Sequence, residues 1–482
     1  MKIIFKILFL LILLTENAFA DYLKEYVAWL KLNHKTQSQF LNLKEAKDGP
    51  CIGCQNYTTR TAENCFEKGT GEQKKQCITK EWDKQWNRYK WKPDPLPVSK
   101  KLLKNRKILG ERFKYDSNPS LDRLHYQVFH YLWDDKGWSK QEVSGSENPY
   151  KFEFSLREDK EVDKQLERSG LLSYLMFENG KIVVDKKTSK ERLGILFNDK
   201  TYWTSASVGK SITSYVTGQA ICDGYIDNID VKLSDWPLLK DTLFQDITLI
   251  DLLNMAAGDQ KFIKNHFRKD IGIKGRERNV NVNTIKYHME GTFKGSKPKK
   301  NNYNYSNLNP NIILNYVWFK SNGDFQKILD KVFKEKAKVA ENVFFLKQNN
   351  RTVMNKYEVA DESGPLRYSF RANRYDYLRI AKAMMDDWQN DTCVGKYLKK
   401  INDRKISKIK KNPNKYSAYG FSKSYGGQFH LNFPGFKDRN IFVLDGAYGQ
   451  SILIDMDRSK IIVINAVHLN YNWHKIGLSA LK

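Results

Sequence analysis

Thr201-Tyr202-Trp203-Thr204-Ser205-Ala206-Ser207-Val208-Gly209-Lys210 is the stretch on which the reading of this 482-residue chain turns. Residues 201–204 are extended in pattern, and Ser207 opens a helix that runs through Ile212 and Val216. Ser207 and Lys210 stand three apart, so on a helix they share a face and the amine can reach the hydroxyl. A serine hydroxyl is a weak nucleophile until a base takes its proton. A lysine serves as that base once burial or nearby positive charge lowers its pKa from about 10.4 toward 7 or 8. A helix start also supplies free backbone N–H groups and a positive dipole end, both suited to an oxyanion.

The Ser-x-x-Lys pattern by itself is weak, since further copies begin at Ser296, Ser407 and Ser479. Context separates them. Ser296 sits between Gly295 and Pro298, Ser407 lies in a basic run, and Ser479 is near the C-terminus; Ser207 alone has apolar, helix-forming surroundings.

Two more segments belong with it. Tyr305-Ser306-Asn307 is the one Tyr-x-Asn among 26 tyrosines. A phenol beside an ammonium can relay a proton, and an amide can hold a substrate carbonyl. Gly446-Ala447-Tyr448-Gly449-Gln450 opens the last hairpin, and glycines in a strand mark close approach of backbone to a ligand. A backbone N–H there would complete an oxyanion hole with that of Ser207. No Gly-x-Ser-x-Gly elbow surrounds Ser207, and His430, His468 and His474 lack the settings of a serine triad.

Hairpins bracket this region. Leu171 to Phe177 and Lys181 to Val184 flank Asn179-Gly180, a turn in which both residues must accept positive φ. Ser451 to Ile454 and Ile461 to Ile464 flank a second turn, and helical patterns fill the middle at Ser211–Cys222, Leu249–Met255 and Tyr375–Met385. Strands at both ends and helices between predict an α/β (α+β) domain. Its antiparallel sheet is formed from both ends, with helices on its faces and a helical subdomain.

The ordered set Ser-x-x-Lys, Tyr-x-Asn and a glycine-bracketed strand resembles the serine β-lactamase and penicillin-binding-protein superfamily, in particular its class C-related esterase and 6-aminohexanoate-dimer hydrolase branch. Ile247–Gly258, Gly224–Leu233 and Phe370–Asp376 are similar to further segments of that family. The resemblance implies Ser207 as acylated nucleophile, Lys210 as base and Tyr305 as proton relay. It implies Asn307 as a substrate-amide contact, and Gly446 and Ala447 as the strand whose Ala447 N–H joins that of Ser207 in the oxyanion hole. It implies hydrolysis of an ester or amide with no cofactor and no metal. The family's Lys-Thr/Ser-Gly strand reads Leu444-Asp445-Gly446 here, placing an acid where a cation would hold a substrate carboxylate. That favours the esterase or amide branch over a true β-lactamase or D-alanyl peptidase. The rival class is a non-catalytic relative binding cell-wall fragments.

At the N-terminus, Lys2 and Lys6, the apolar run Ile7–Leu14 and Ala18-Phe19-Ala20 read as a secretory signal cleaved after Ala20. The run is short of the roughly 20 residues of a spanning helix. The mature chain is therefore expected in the periplasm or outside the cell, with no transmembrane segment. Of six cysteines, Cys51, Cys54, Cys65 and Cys77 crowd together and read as two disulfides. Zinc is the rival, but no second Cys-x-x-Cys and no intervening His supports it. Cys222 and Cys393 read as buried thiols. Pro93-Asp94-Pro95-Leu96-Pro97 is the main boundary. The expected organisation is signal 1–20, cysteine-containing helical module 21–97, connecting region 98–165 and hydrolase domain 166–482. The net charge of +27 is dispersed without nucleic-acid motifs. Contact with anionic envelope polymers is the partner it would suit, besides a small ester or amide substrate.

Overall fold

Asn179 and Gly180 adopt φ of 49° and 87°, the doubly positive turn their identities foretell, and join β3 (Leu171–Glu178) to β4 (Lys181–Lys187). In this computed structural model the described residues are 118, 139–189, 192, 197–259, 262, 291, 293–297, 302–347, 365–408, 422–436, 438–468 and 471–482. The stretch read as a secretory signal and the four clustered cysteines lie outside them. The chain divides into two units. One comprises residues 1–130, 167–170 and 188–198; the other comprises 131–166, 171–187 and 199–482 and holds Ser207, Lys210, Tyr305 and Asn307.

The large sheet has nine strands in the order β2-β4-β3-β13-β12-β11-β10-β9-β8. Here β2 is Glu153–Phe154, β8 Ile406–Ser407, β9 Ser424–Gly426 and β10 Phe429–Leu431. The remaining strands are β11 (Ile441–Gly446), β12 (Gln450–Asp455) and β13 (Lys460–Ala466). All neighbours are antiparallel except β2 and β4. The two ends of the domain meet at β3 and β13, where Phe177 faces Ile461 and Leu175 faces Val463. Every residue of β12, and all but the ends of β3 and β13, is buried. Side chains alternate across a strand, so burial along its whole length requires cover on both faces. Helices supply it. α4 (Arg374–Gln389) packs on β3, β12 and β13, and α6 (His474–Leu481) on β13.

A second sheet orders β1 (Ser139–Val143), β6 (Val343–Lys347), β7 (Leu366–Ala372) and β5 (Trp203–Thr204). Thus β1 and β2, drawn from the stretch read as connecting, are strands of the two sheets. Phe345 and Phe370 meet edge to face at 4.8 Å, and Phe333 stacks on Phe370 at 5.1 Å.

Between the sheets' strands runs α1 (Val208–Cys222), buried from Val208 to Ala220 and touching β7, β11, α3 (Leu308–Lys320) and α5 (Cys393–Asp403). Buried all round, it has no single apolar stripe. Its hydroxyls are satisfied instead: Thr213 and Thr217 bond carbonyls one turn back, Ser211 bonds Gln428 O, and Ser214 pairs with Tyr397. A Cβ on Gly218 would stand 2.5 Å from the Tyr397 ring, so this close helix packing needs glycine.

One sequence expectation is corrected. Cys222, closing α1, and Cys393, opening α5, form a disulfide across a separation of 171 residues, with Cα atoms 5.8 Å apart. Neither is a free thiol. Sequence could not pair them, because only the packing of α1 on α5 brings them together.

Candidate active site

The turn that carries Ser207 is built by β5 handing its chain to α1. Ser205 N donates to Phe370 O at 2.9 Å and Phe370 N donates back to Ser205 Oγ at 2.8 Å, extending the β5–β7 pairing by one residue. Ala206 then takes φ 44°, a left-handed conformation that is strained for a residue with a Cβ. The reversal throws Ser207 to the start of α1. Gly209 is required because the helix rides directly on β7: a Cβ there would sit 2.0 Å from Tyr368 O. That contact explains the glycine inside Ser-Val-Gly-Lys.

Lys210 lies one turn on and is 1% exposed. Its Nζ is 3.0 Å from Ser207 Oγ and 2.6 Å from Asn307 Oδ1, and stands 3.7 Å from the Tyr368 ring centre and 4.9 Å from that of Tyr305. Burial holds the Lys210 amine well below its ordinary range, and the Arg367 charge adds to this. The two rings favour the ammonium form, but burial is the larger influence.

Ser207 and Asn307 occupy the N-cap positions of α1 and α3, and neither side chain caps its helix. By contrast Thr248 caps α2 (Leu249–Leu253), Asn373 caps α4 and Thr392 caps α5 through their side chains. A side-chain cap is worth about 1 kcal/mol. Both residues that could cap here turn to Lys210 instead.

Tyr305-Ser306-Asn307 is anchored by its middle residue: Ser306 Oγ donates to buried Asp259 Oδ2 at 2.7 Å and accepts from Leu308 N at 3.2 Å. Tyr305 meets Tyr425 edge to face at 6.2 Å, and Tyr425 packs on Tyr303 and His430. Lys408 Nζ lies 2.8 Å from His430 Nδ1. Burial first, then the Lys408 and Lys210 charges, keeps the His430 imidazole neutral far below its usual range.

Gly446 ends β11 beside Ser207: a Cβ on it would stand 2.7 Å from Ser205 O and 3.1 Å from Ser207 N. The two glycines of this segment do not lie within one strand, as the sequence suggests. Residues 447–449 form a tight turn between β11 and β12 in which Tyr448 takes φ 65°. Ala447 on that turn is exposed. Asp445, read in the sequence as an acid in the cleft, is 8% exposed and accepts from Ser451 Oγ at 3.0 Å and Trp473 Nε1 at 2.9 Å. Its carboxyl is turned into the protein, so it does not oppose an anionic ligand as the bare alignment implied.

Ser207, Lys210, Tyr305, Asn307 and Gly446, far apart in sequence, therefore converge, with Ala447 adjacent. Of the rival patterns, Ser407 and Ser479 are exposed, and Ser296 Oγ donates to Phe293 O. Tyr368 and Arg367 went unnoticed in the sequence, and His430 was weighed there only as a triad member. The signal for Tyr368 was a spacing: Asn307, Asn311 and Asn315 repeat every fourth residue and face β7. Among the described residues no group of three or more His, Cys, Asp or Glu is placed to hold a metal, and no helix is long and apolar enough to cross a membrane.

No family model and no curated protein matches the chain. Solved structures do. A Bacillus anthracis protein named as a 6-aminohexanoate-dimer hydrolase aligns at TM-score 0.52 and 13% identity, over 76% of this chain and 95% of its own. The penicillin-binding protein of Bacillus halodurans aligns at TM-score 0.44 and 17% identity, over 67% and 99%. The octameric penicillin-binding protein homologue of Pyrococcus abyssi aligns at 0.42 and 18%, over 64% and 72%. The chain has the β-lactamase/transpeptidase fold, as its motifs implied.

Proposed function

We propose that this chain is an exported serine hydrolase that cleaves an ester or amide through an acyl-serine intermediate. The observation that carries the reading is the buried Lys210 amine 3.0 Å from Ser207 Oγ. A neutral amine at that distance is a competent general base. Lys210 takes the hydroxyl proton as Ser207 Oγ bonds to the substrate carbonyl carbon. The carbonyl oxygen becomes an oxyanion facing the Ser207 and Ala447 N–H groups. Collapse breaks the C–O or C–N bond, and the leaving alcohol or amine departs with the proton relayed through Tyr305. Water then gives a proton to the Lys210–Tyr305 pair as its oxygen bonds to the acyl carbon. The second intermediate collapses by breaking the acyl C–Ser207 Oγ bond, and the pair returns that proton to Ser207 Oγ as the acid product leaves. Asn307 Nδ2 donates to a carbonyl on the substrate's acyl side.

Export is supported by the signal-like start and by the Cys222–Cys393 disulfide, which suits an oxidising compartment. With Asp445 withdrawn from the cleft but Leu444 supplying no cation, an ester or amide remains the better-supported substrate than a carboxylate-anchored β-lactam.

The test is a panel of p-nitrophenyl esters, nitrocefin and short amide oligomers run on wild type and Ser207→Ala. Turnover of esters or amides that is lost in the variant supports the proposal. Nitrocefin as the preferred substrate redirects it to β-lactams. Salt-dependent binding of anionic polymer with no hydrolysis contradicts it in favour of a binding protein.

A further inference from the structure

The helix that carries the Tyr-x-Asn segment is fastened to β7 by a ladder of amides. Asn315 Oδ1 accepts from Leu366 N at 3.0 Å and its Nδ2 donates to Leu366 O at 2.9 Å. One turn earlier, Asn311 Oδ1 accepts from Tyr368 N at 2.9 Å. One turn earlier again, Asn307 Oδ1 accepts from Tyr368 Oη at 3.1 Å. Along the same edge of β7, Gly209 lets α1 approach the Tyr368 carbonyl. Tyr368 is thus held through its N–H by the Asn311 side chain and crowded at its carbonyl by α1, and its ring lies 3.7 Å from Lys210 Nζ.

Two donors, Lys210 Nζ and Tyr368 Oη, converge on one atom of the Asn307 amide. That atom is Oδ1, with the amine and the phenol both donating to it. Its orientation is thereby set, and Nδ2 is the end left for a substrate. Once Lys210 has taken the Ser207 proton its ammonium can only donate, so the amide oxygen must face it, and the Tyr368 hydroxyl adds a second bond to that same oxygen.

We infer that Tyr368 is a positioning residue that fixes the Asn307 amide with Nδ2 toward the substrate and so sets the preference for acyl groups bearing a carbonyl. The inference rests on the acyl-serine reading above. It concerns a residue outside the Ser-x-x-Lys and Tyr-x-Asn motifs. Tyr368 touches neither the reacting carbonyl nor the leaving group.

Tyr368→Phe keeps the ring against Lys210 and removes the hydroxyl. Two p-nitrophenyl esters separate the roles: the acetate, with nothing for Asn307 to hold, and an N-acetylglycyl ester, whose amide carbonyl can accept from Nδ2. Tyr368→Phe is expected to raise KM for the glycyl ester about tenfold, the worth of one misdirected hydrogen bond, with kcat nearly kept. Acetate kinetics should change less than about threefold. Asn307→Ala, which also takes a partner from Lys210 and so lowers the rate on both esters, should abolish the discrimination between them, and Tyr368→Phe added to it should change the ratio of the two kcat/KM values no further. If Tyr368→Phe leaves both esters unchanged, or lowers kcat for both equally, the inference is overturned while the hydrolase reading stands. If wild type turns over neither ester, or Ser207→Ala turns them over as well, both fall together. Melting temperatures recorded alongside identify a variant that is merely unfolded, and Asn307→Ala then carries the test through its own selectivity between the two esters.

Discussion

Gly446 is pressed against the backbone nitrogen of Ser207 so closely that a Cβ would come within 3.1 Å of it and within 2.7 Å of Ser205 O. Its own φ is an ordinary extended −131°, so a substitution is resisted by crowding and not by backbone strain. Gly446→Ala should therefore push β11 away from the nucleophile turn and spoil the oxyanion pair. The expected loss is about 100-fold in kcat on an activated ester, similar to deleting one oxyanion donor. Steady-state kinetics beside a thermal melt check it.

Lys210 makes the cleft expensive to fold. Its amine is held well below the ordinary lysine range by burial, so between that lowered value and about 10.4 the unfolded chain binds more protons than the folded one. Folding stability contributed by this group consequently rises with pH across that window. Lys210→Met should abolish activity by about 1000-fold or more and melt a few degrees higher at pH 7, the gain shrinking toward pH 10. In wild type, kcat/KM should rise with pH through an inflection far below that of a free lysine.

Much of this was readable in the sequence, for identifiable reasons. Asn179-Gly180 announces its hairpin because few other pairs accept two positive φ angles. The meeting of β3 and β13 follows from apolar runs long enough to be buried on both faces. Ser207 and Lys210 stand out by helical spacing only together with their context, and the Tyr305–Asn307 and Gly446–Gln450 segments, legible as residues, take their roles from the resemblance of the ordered set. What escaped notice depends on chain crossings that no local pattern encodes. Tyr368 matters only because Gly209 admits β7, and Cys222 meets Cys393 only because α1 lies on α5. Asp445 shows the reverse error: its position in the alignment was legible, while the direction of its side chain was not.

The Cys222–Cys393 bridge joins the far end of the nucleophile helix to α5. A cross-link closing so long a loop typically stabilises by about 2–4 kcal/mol. The Cys222→Ser/Cys393→Ser double variant should unfold at correspondingly lower denaturant in an equilibrium titration. The bridge is at the opposite end of α1 from Ser207, so the kcat of the folded variant at 25 °C should be unchanged.

Asp445 is pushed up to about 6 by burial, against the opposing pull of its Ser451 and Trp473 hydrogen bonds and the charge of Lys408. A carboxyl raised in the folded state contributes stability that is complete below about 3.9 and lost as pH rises through 6. Asp445→Asn, which stays neutral, should therefore be more stable than wild type at pH 7.5, by on the order of 2 kcal/mol. The difference should vanish near pH 4. Denaturant titrations at the two pH values check this.

The account stands or falls on which atom becomes acylated. Wild-type protein incubated with a fluorophosphonate, or rapidly acid-quenched during ester turnover, should carry a single adduct, and peptide mass spectrometry should place it on Ser207. Ser207→Ala should carry none. An adduct on another residue, or ester turnover that survives in Ser207→Ala, would contradict the assignment of Ser207 and Lys210 as the reacting pair.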